Sequence, residues 1–225
     1  MTRVLVLTAV DVEARGLARH LGLARTPPSP WPHFAGGALE IACVGLRASQ
    51  LAARAAKLRA FDVVISAGAC GALAPGLSAG DLLVPELVVD ATGRRWTAAA
   101  LRRLPATGTL LTVADVVETV AQKSRLWLET GACAVDMESA HVLAWAAERG
   151  TPGAVIRGVS DGAERGVPAA LAASVGDDGR VRPLRAVTAA LGRGAAFADL
   201  VELRAGTEAA LKTVAGALAT LAREA

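Results

Sequence analysis

Acidic and small polar residues follow three short apolar runs in this chain of 225 residues. Ala134–Ala140 (AVDMESA) sets Asp136, Met137 and Glu138 at a strand-to-helix junction, and Ala154–Asp161 (AVIRGVSD) ends on Ser160 and Asp161. Val4–Leu7 leads into Asp11 and Glu13. Carboxylates at strand tips can donate or accept protons. They can also simply cap helices, and at Asp11 and Glu13 complementing the helix dipole explains them as well. Two such tips on successive strands, one beside a methionine that capping does not need, favour a site. A further stretch, Ser66–Gly71 (SAGACG), has glycines that let a ligand approach the backbone and N–H groups that could hold an anion or a sugar. A tight strand-to-helix turn explains it equally well.

The elements that must position these residues follow from the pattern of apolar runs. Arg3–Thr8, Leu39–Val44, Phe61–Ala67 and Asp81–Val89 read as strands, the last with Pro85 marking an edge or bulge. Leu110–Val113, Ala132–Val135 and Ala154–Val159 are further short strands. Helices are expected at about Asp11–Leu21, Arg47–Arg59, Val116–Leu128 and Glu138–Arg149, with a long alanine-rich one over Ala195–Arg223. The third strand should end in a glycine turn at Gly68–Gly71. Thr26–Pro32 is too proline-rich for a helix interior, and Gly162–Arg182 reads as loop. This alternation predicts an α/β fold: a three-layer αβα arrangement around a central mixed, mostly parallel twisted sheet. With no repeat and no linker, residues 1–225 are expected to form a single domain.

Composition narrows the function classes. The net charge is only +3 and the basic residues are scattered, which argues against nucleic-acid binding. Cys43, Cys70 and Cys133 lack metal-ligand spacing and suit a reducing cytoplasm, so no metal is expected. The N-terminal strand runs directly into acidic residues, unlike a signal peptide, and no apolar segment reaches membrane-spanning length uninterrupted. The glycine stretch is not GxGxxG and lacks an acidic partner at dinucleotide spacing, which disfavours a nucleotide oxidoreductase.

Taken together, these residues resemble the purine nucleoside phosphorylase and adenosyl nucleosidase superfamily. Asp136-Met137-Glu138, followed by Ser139 and Ala140, is similar to its acidic-Met-Glu signature, and Val159-Ser160-Asp161 to its strand ending in Ser-Asp. Gly68–Asp81 (GACGALAPGLSAGD) is similar to its glycine turn and the strand start that follows. The likeness runs in consistent order from residue 1 to about 165. Beyond it, Val167–Leu191 looks most like the hopanoid-associated phosphorylase branch, linked to removal of adenine from adenosylhopane. Methylthioadenosine/S-adenosylhomocysteine nucleosidases and futalosine hydrolases are the near alternatives.

The resemblance implies cleavage of the N-glycosidic bond of an adenosyl nucleoside, small or lipid-linked, with release of adenine and no cofactor. By resemblance Asp161 is the acid at N7 of the purine, oriented by Ser160, and Glu13 activates water if the reaction is hydrolysis. Glu138 accepts hydrogen bonds from the ribose hydroxyls, worth roughly 1.5–3 kcal/mol each. Met137 packs under the ribose, and Asp136, Gly68 and Ala69 complete the substrate contacts. In phosphorolysis phosphate is a co-substrate, with Ser66, Arg15 and Arg47 as its candidate ligands. A homodimer follows from resemblance alone. A lipid-linked substrate would bring transient membrane-surface contact and an apolar cleft mouth, for which Trp31, Phe34 and Trp96 are candidates, though packing against the sheet edge explains them as well. A competing class is a non-catalytic adenosyl-ligand-binding protein, against which the acidic residues argue.

Overall fold

The run VLVLT forms β1 (Val4–Thr8) and is buried at all five positions, as a strand covered on both faces must be. The structure is a computed structural model that describes residues 2–167, 175–180 and 197–223. β1 lies between β4 (Leu39–Cys43) and β5 (Val63–Ala72), parallel to both. The opposite edge of β5 pairs with β11 (Gly153–Asp161), again in parallel. A second parallel series consists of β10 (Ala134–Asp136), β9 (Thr109–Thr112) and β7 (Leu87–Asp90). β10 joins the two series by pairing antiparallel with the end of β5, and further antiparallel pairs lie at the margins, where β2 (Ala24–Arg25) and β3 (His33–Gly36) extend the sheet beyond β4. β6 (Leu82–Leu83) pairs with β11, and β8 (Arg95–Thr97) with β7. The mixed central sheet is the expected one.

Two helical layers cover it. Alternate residues of β1 point to opposite faces. Val4 and Val6 meet Ala14 and Leu17 of α1 (Asp11–Leu21) and Leu211, Val214 and Leu218 of α5 (Phe197–Ala222). Leu5 and Leu7 join the cluster that holds Val142, Trp145 and Ala146 of α4 (Ser139–Ala147). α2 (Leu51–Ala55) and α3 (Val120–Thr130) complete the described helices. α5 can lie close to β11 because residue 158 is glycine: a β-carbon there would come within 2.7 Å of Ala210 Cα.

Several sequence expectations need correction. The helix expected over Arg47–Arg59 is only a 3-10 turn (Leu46–Ala48) followed by the short α2, because Arg47 and Ala48 both take positive φ (53°) and break the helix at its start. The strand expected over Asp81–Val89 divides into β6 and β7, with Pro85, which has no N–H to donate, between them. Most consequentially, Gly68–Gly71 is not a turn, and β5 runs through it to Ala72. The reason is a change of neighbour. Pairing of β5 with β1 ends at Ser66, pairing with β10 begins at Gly71, and β11 holds the opposite edge throughout. Between Ser66 and Gly71 one edge of β5 lacks a strand partner, and the cleft opens there.

Candidate active site

Glu13 reaches this gap from the first turn of α1. Its Oε1 accepts the N–H of Ala69 at 2.8 Å, so the carboxylate satisfies a donor that the departing strand leaves unpaired. Its Oε2 accepts the N–H groups of Ala9 (3.0 Å) and Val10 (3.2 Å), the latter as in the returning half of a capping box. Glu13 is buried, and burial raises its carboxyl above the ordinary value against the opposing pull of Arg157 and of these three N–H groups. A β-carbon at Gly68 would collide with Glu13 Oε1 and lie 2.9 Å from Arg157 Nη1, so glycine leaves room for both charged groups over β5.

Arg157 comes from the middle of β11 and is 1% exposed. Its Nη2 pairs with Asp136 Oδ2 at 2.6 Å and donates to Ser66 Oγ at 2.8 Å and Ser139 Oγ at 3.1 Å. Asp136 also accepts the Thr112 hydroxyl (2.7 Å) and the N–H of Ser139 (3.0 Å). Desolvation of a buried cation is costly unless it is paired and hydrogen-bonded, and this network does both. Asp136, expected to touch substrate, lines the cleft with its carboxylate bonded to Arg157, Thr112 and the start of α4.

Glu138 follows Asp136 and lines the cleft, buried, with Met137 beside it. Glu138 Oε1 accepts the N–H of Arg47 at 3.1 Å. Burial pushes its carboxyl up to about 8; Asp136 and Glu13 add to the rise, and Arg157 opposes it. On the far wall Asp161 Oδ1 accepts the Ser160 hydroxyl at 2.6 Å, while Oδ2 accepts from the ammonium of Lys123. Glu13, Met137, Glu138, Ser160 and Asp161 thus line one cleft of about 270 Å³, near the lower end of the roughly 300–1,000 Å³ usual for small-ligand sites. Ala69 lines it too, while Gly68 contributes the space beneath Glu13 and Arg157.

The candidate phosphate ligands do not assemble. Ser66 is fully buried beneath Arg157 and Ser139. Arg15 projects outward from α1, with its side chain 65% exposed and paired with Asp11. Arg47 turns its guanidinium to Ala114 O (3.1 Å) and to Asp177 (2.9 Å). The three aromatic candidates for an apolar mouth lie elsewhere. Trp31 is buried between His33, stacked at 4.7 Å, and the Arg54 guanidinium. Phe34 packs on the α1–α5 face, and Trp96 lies in β8 beneath Arg94. Most of Val167–Leu191, on which the hopanoid resemblance rests, lies outside the described residues. Among the described residues there is no metal-binding cluster, and no helix is long and apolar enough to cross a membrane.

Sequence reasoning missed Arg157, Ser139 and Lys123. Arg157 had a signal, since a lone cation inside the run AVIRGVSD demands a buried counter-charge. Lys123 had none, because a lysine in a helical first turn ordinarily faces water.

The family pattern of the Phosphorylase superfamily matches residues 97–192. No curated protein sequence matches the chain significantly. Among solved structures, the chain is similar to the 5′-methylthioadenosine/S-adenosylhomocysteine nucleosidase of Neisseria meningitidis in complex with methylthio-immucillin-A (17% identity, 100% of both chains, TM-score 0.71). It is likewise similar to the futalosine hydrolase of Helicobacter pylori (18% identity, 100% of this chain and 98% of that one, TM-score 0.71). A third is the 5′-methylthioadenosine nucleosidase of Arabidopsis thaliana (19% identity, 98% and 96%, TM-score 0.68). The whole chain therefore has the nucleoside phosphorylase/nucleosidase fold, and residues 97–192 carry the Phosphorylase superfamily pattern.

Proposed function

We propose that this chain is an enzyme that hydrolyses the N-glycosidic bond of an adenosyl nucleoside and releases adenine. The observation that carries the reading is the placement of Glu13: a buried carboxylate with a raised pKa, lining the same cleft as Glu138 and Asp161. A carboxyl raised toward neutrality is a better base than an ordinary one, suited to taking a proton from water. Glu138 accepts hydrogen bonds from the ribose hydroxyls, and its charge favours the cationic sugar that develops as the bond breaks. Asp161, oriented by Ser160, serves the purine at N7. The electron pair of the C1′–N9 bond passes to the base, water adds to C1′, and its proton goes to Glu13.

Phosphorolysis fits less well. Ser66, Arg15 and Arg47 are engaged elsewhere, and none of the three side chains lines the cleft. The cleft wall includes Leu46, Val113, Val116, Val117 and Leu203, which favours an uncharged, apolar 5′ substituent. A methylthio group and a lipid-linked chain of the hopanoid kind both belong to that class.

The test is adenine release from adenosine, methylthioadenosine, S-adenosylhomocysteine and a 5′-alkyl adenosine, each with and without phosphate. Release without phosphate, yielding the free sugar, is expected, and Glu13→Gln should lower kcat by roughly 100-fold or more. A phosphate requirement with a sugar 1-phosphate product would replace hydrolysis by phosphorolysis. Binding without release of adenine from any of them would make the chain an adenosyl-ligand-binding protein instead.

A further inference from the structure

Lys123 sits in the first turn of α3, yet it is 1% exposed. A capping box fixes that turn. Thr119 Oγ1 accepts the N–H of Gln122 at 3.1 Å, and Gln122 Oε1 accepts those of Thr119 (3.0 Å) and Glu118 (2.9 Å). From this anchored turn the ammonium points inward, donating to Asp161 Oδ2 and to the carbonyl of Gly162 at 2.7 Å. The second Asp161 oxygen accepts from Ser160.

Stability alone does not call for such a pair. Desolvating an ammonium and a carboxylate offsets most of their attraction, and apolar residues in the place of a buried pair are often as stable or more so. The reaction has a need the pair can meet. A purine leaves more readily when a proton reaches N7, and Asp161 accepts hydrogen bonds on both carboxyl oxygens, from Ser160 and from Lys123. A proton already lies between Lys123 Nζ and Oδ2, so its transfer requires no heavy atom to move.

Building on the nucleosidase reading, we propose that Lys123 supplies the proton that Asp161 passes to the departing purine. As the C1′–N9 bond breaks and its electron pair enters the base, Nζ passes a proton to Asp161 and Asp161 passes it on to N7, leaving a neutral amine. Water bonds to C1′ and loses a proton to Glu13. After the products leave, Glu13 returns its proton to solvent and Lys123 takes one up, so one water is consumed and both groups are restored. Lys123 acts through Asp161 and is in that sense a positioning residue with a proton to lend.

Arginine separates proton supply from mere positioning, because a guanidinium can hold Asp161 in an ion pair but does not deprotonate in proteins. Lys123→Arg and Lys123→Met are compared with the wild type on methylthioadenosine and on 4-nitrophenyl β-D-ribofuranoside, whose leaving group departs without a proton. Both variants should lose roughly 100-fold or more in kcat on the purine nucleoside. On the nitrophenyl riboside they should stay within roughly fivefold of the wild type, which also shows that they are folded. Near wild-type purine cleavage by Lys123→Arg overturns the proposal, as does an equal loss on both substrates, which marks a structural role. If the wild type does not accept the nitrophenyl riboside, the purine kinetics decide. A fall in kcat with KM within roughly threefold supports proton supply, and a rise in KM with kcat kept overturns it. If either variant does not fold, as read by circular dichroism, Lys123→Gln takes its place under the same criteria. A wild type that releases no purine from any nucleoside removes the nucleosidase reading and this proposal with it; active wild type with unaffected Lys123 variants removes this proposal alone.

Discussion

Glu13 Oε1 and Arg157 Nη1 converge on the space that a β-carbon on residue 68 would occupy, one arriving from α1 and the other from β11. A side chain on β5 there would force both to shift. The unpaired stretch of β5 between its β1 and β10 registers is thus filled by a carboxylate and a guanidinium in place of a neighbouring strand.

Gly68→Ala should therefore injure the proposed reaction more than the fold. Its methyl group collides with Glu13 and presses on Arg157, and overpacking of this kind typically costs roughly 1–3 kcal/mol. Displacing the proposed base by a fraction of an ångström up to about 1 Å is expected to lower kcat by up to roughly 100-fold. Urea denaturation and steady-state adenine release check the two effects on the same preparation. A variant with wild-type kcat would show that Glu13 does not need its observed position.

Much of this site can be read in the sequence, for physical reasons. A strand buried on both faces must be almost wholly apolar, so the polar residues that end β1, β10 and β11 stand out and bring Glu13, Glu138 and Asp161 to notice. Other features depend on tertiary context. Gly68–Gly71 has turn chemistry, but its conformation follows from the exchange of β1 for β10, a pairing no local pattern encodes. Arg47 and Ala48 sit in a helix-favouring run, yet their positive φ values belong to a turn whose N–H serves Glu138. Lys123 draws notice only once Asp161, 38 residues away, is placed beside it.

The pair of Arg157 and Asp136 makes a second prediction, about stability. Both side chains are 1% exposed, so Arg157→Met leaves a buried carboxylate without its cation and should cost roughly 3–5 kcal/mol. Removing the opposite charge as well should recover part of that loss: Arg157→Met with Asp136→Asn is expected to be more stable than Arg157→Met alone. Urea midpoints of the two single variants and the double variant measure the coupling. Additive losses would mean that the pair contributes no joint energy and that Arg157 is held chiefly by Ser66 and Ser139.

Glu138 links the site to pH. Its carboxyl, 4.5 in the ordinary case, is pushed up to about 8 in the folded chain, chiefly by burial. Between these values the folded protein holds a proton that the unfolded chain has released, so stability falls as pH rises. The contribution is fully present below about pH 4.5 and is lost as the pH passes through about 8. Glu13 is shifted in the same direction and adds to the slope, so the two must be separated by substitution. The ligand-free protein should show a Tm that declines from about pH 5 to about pH 8, and Glu138→Gln, which cannot ionise, should flatten the decline without abolishing it. A bound nucleoside should act in the opposite sense, because ribose hydroxyls donate to the carboxylate and favour its charged form. Saturating product sugar or a non-cleavable nucleoside should therefore raise Tm more at pH 8 than at pH 5 in the wild type. In Glu138→Gln that difference should shrink. An identical pH dependence in the two proteins would place the titrating group elsewhere and remove Glu138 as the ribose clamp.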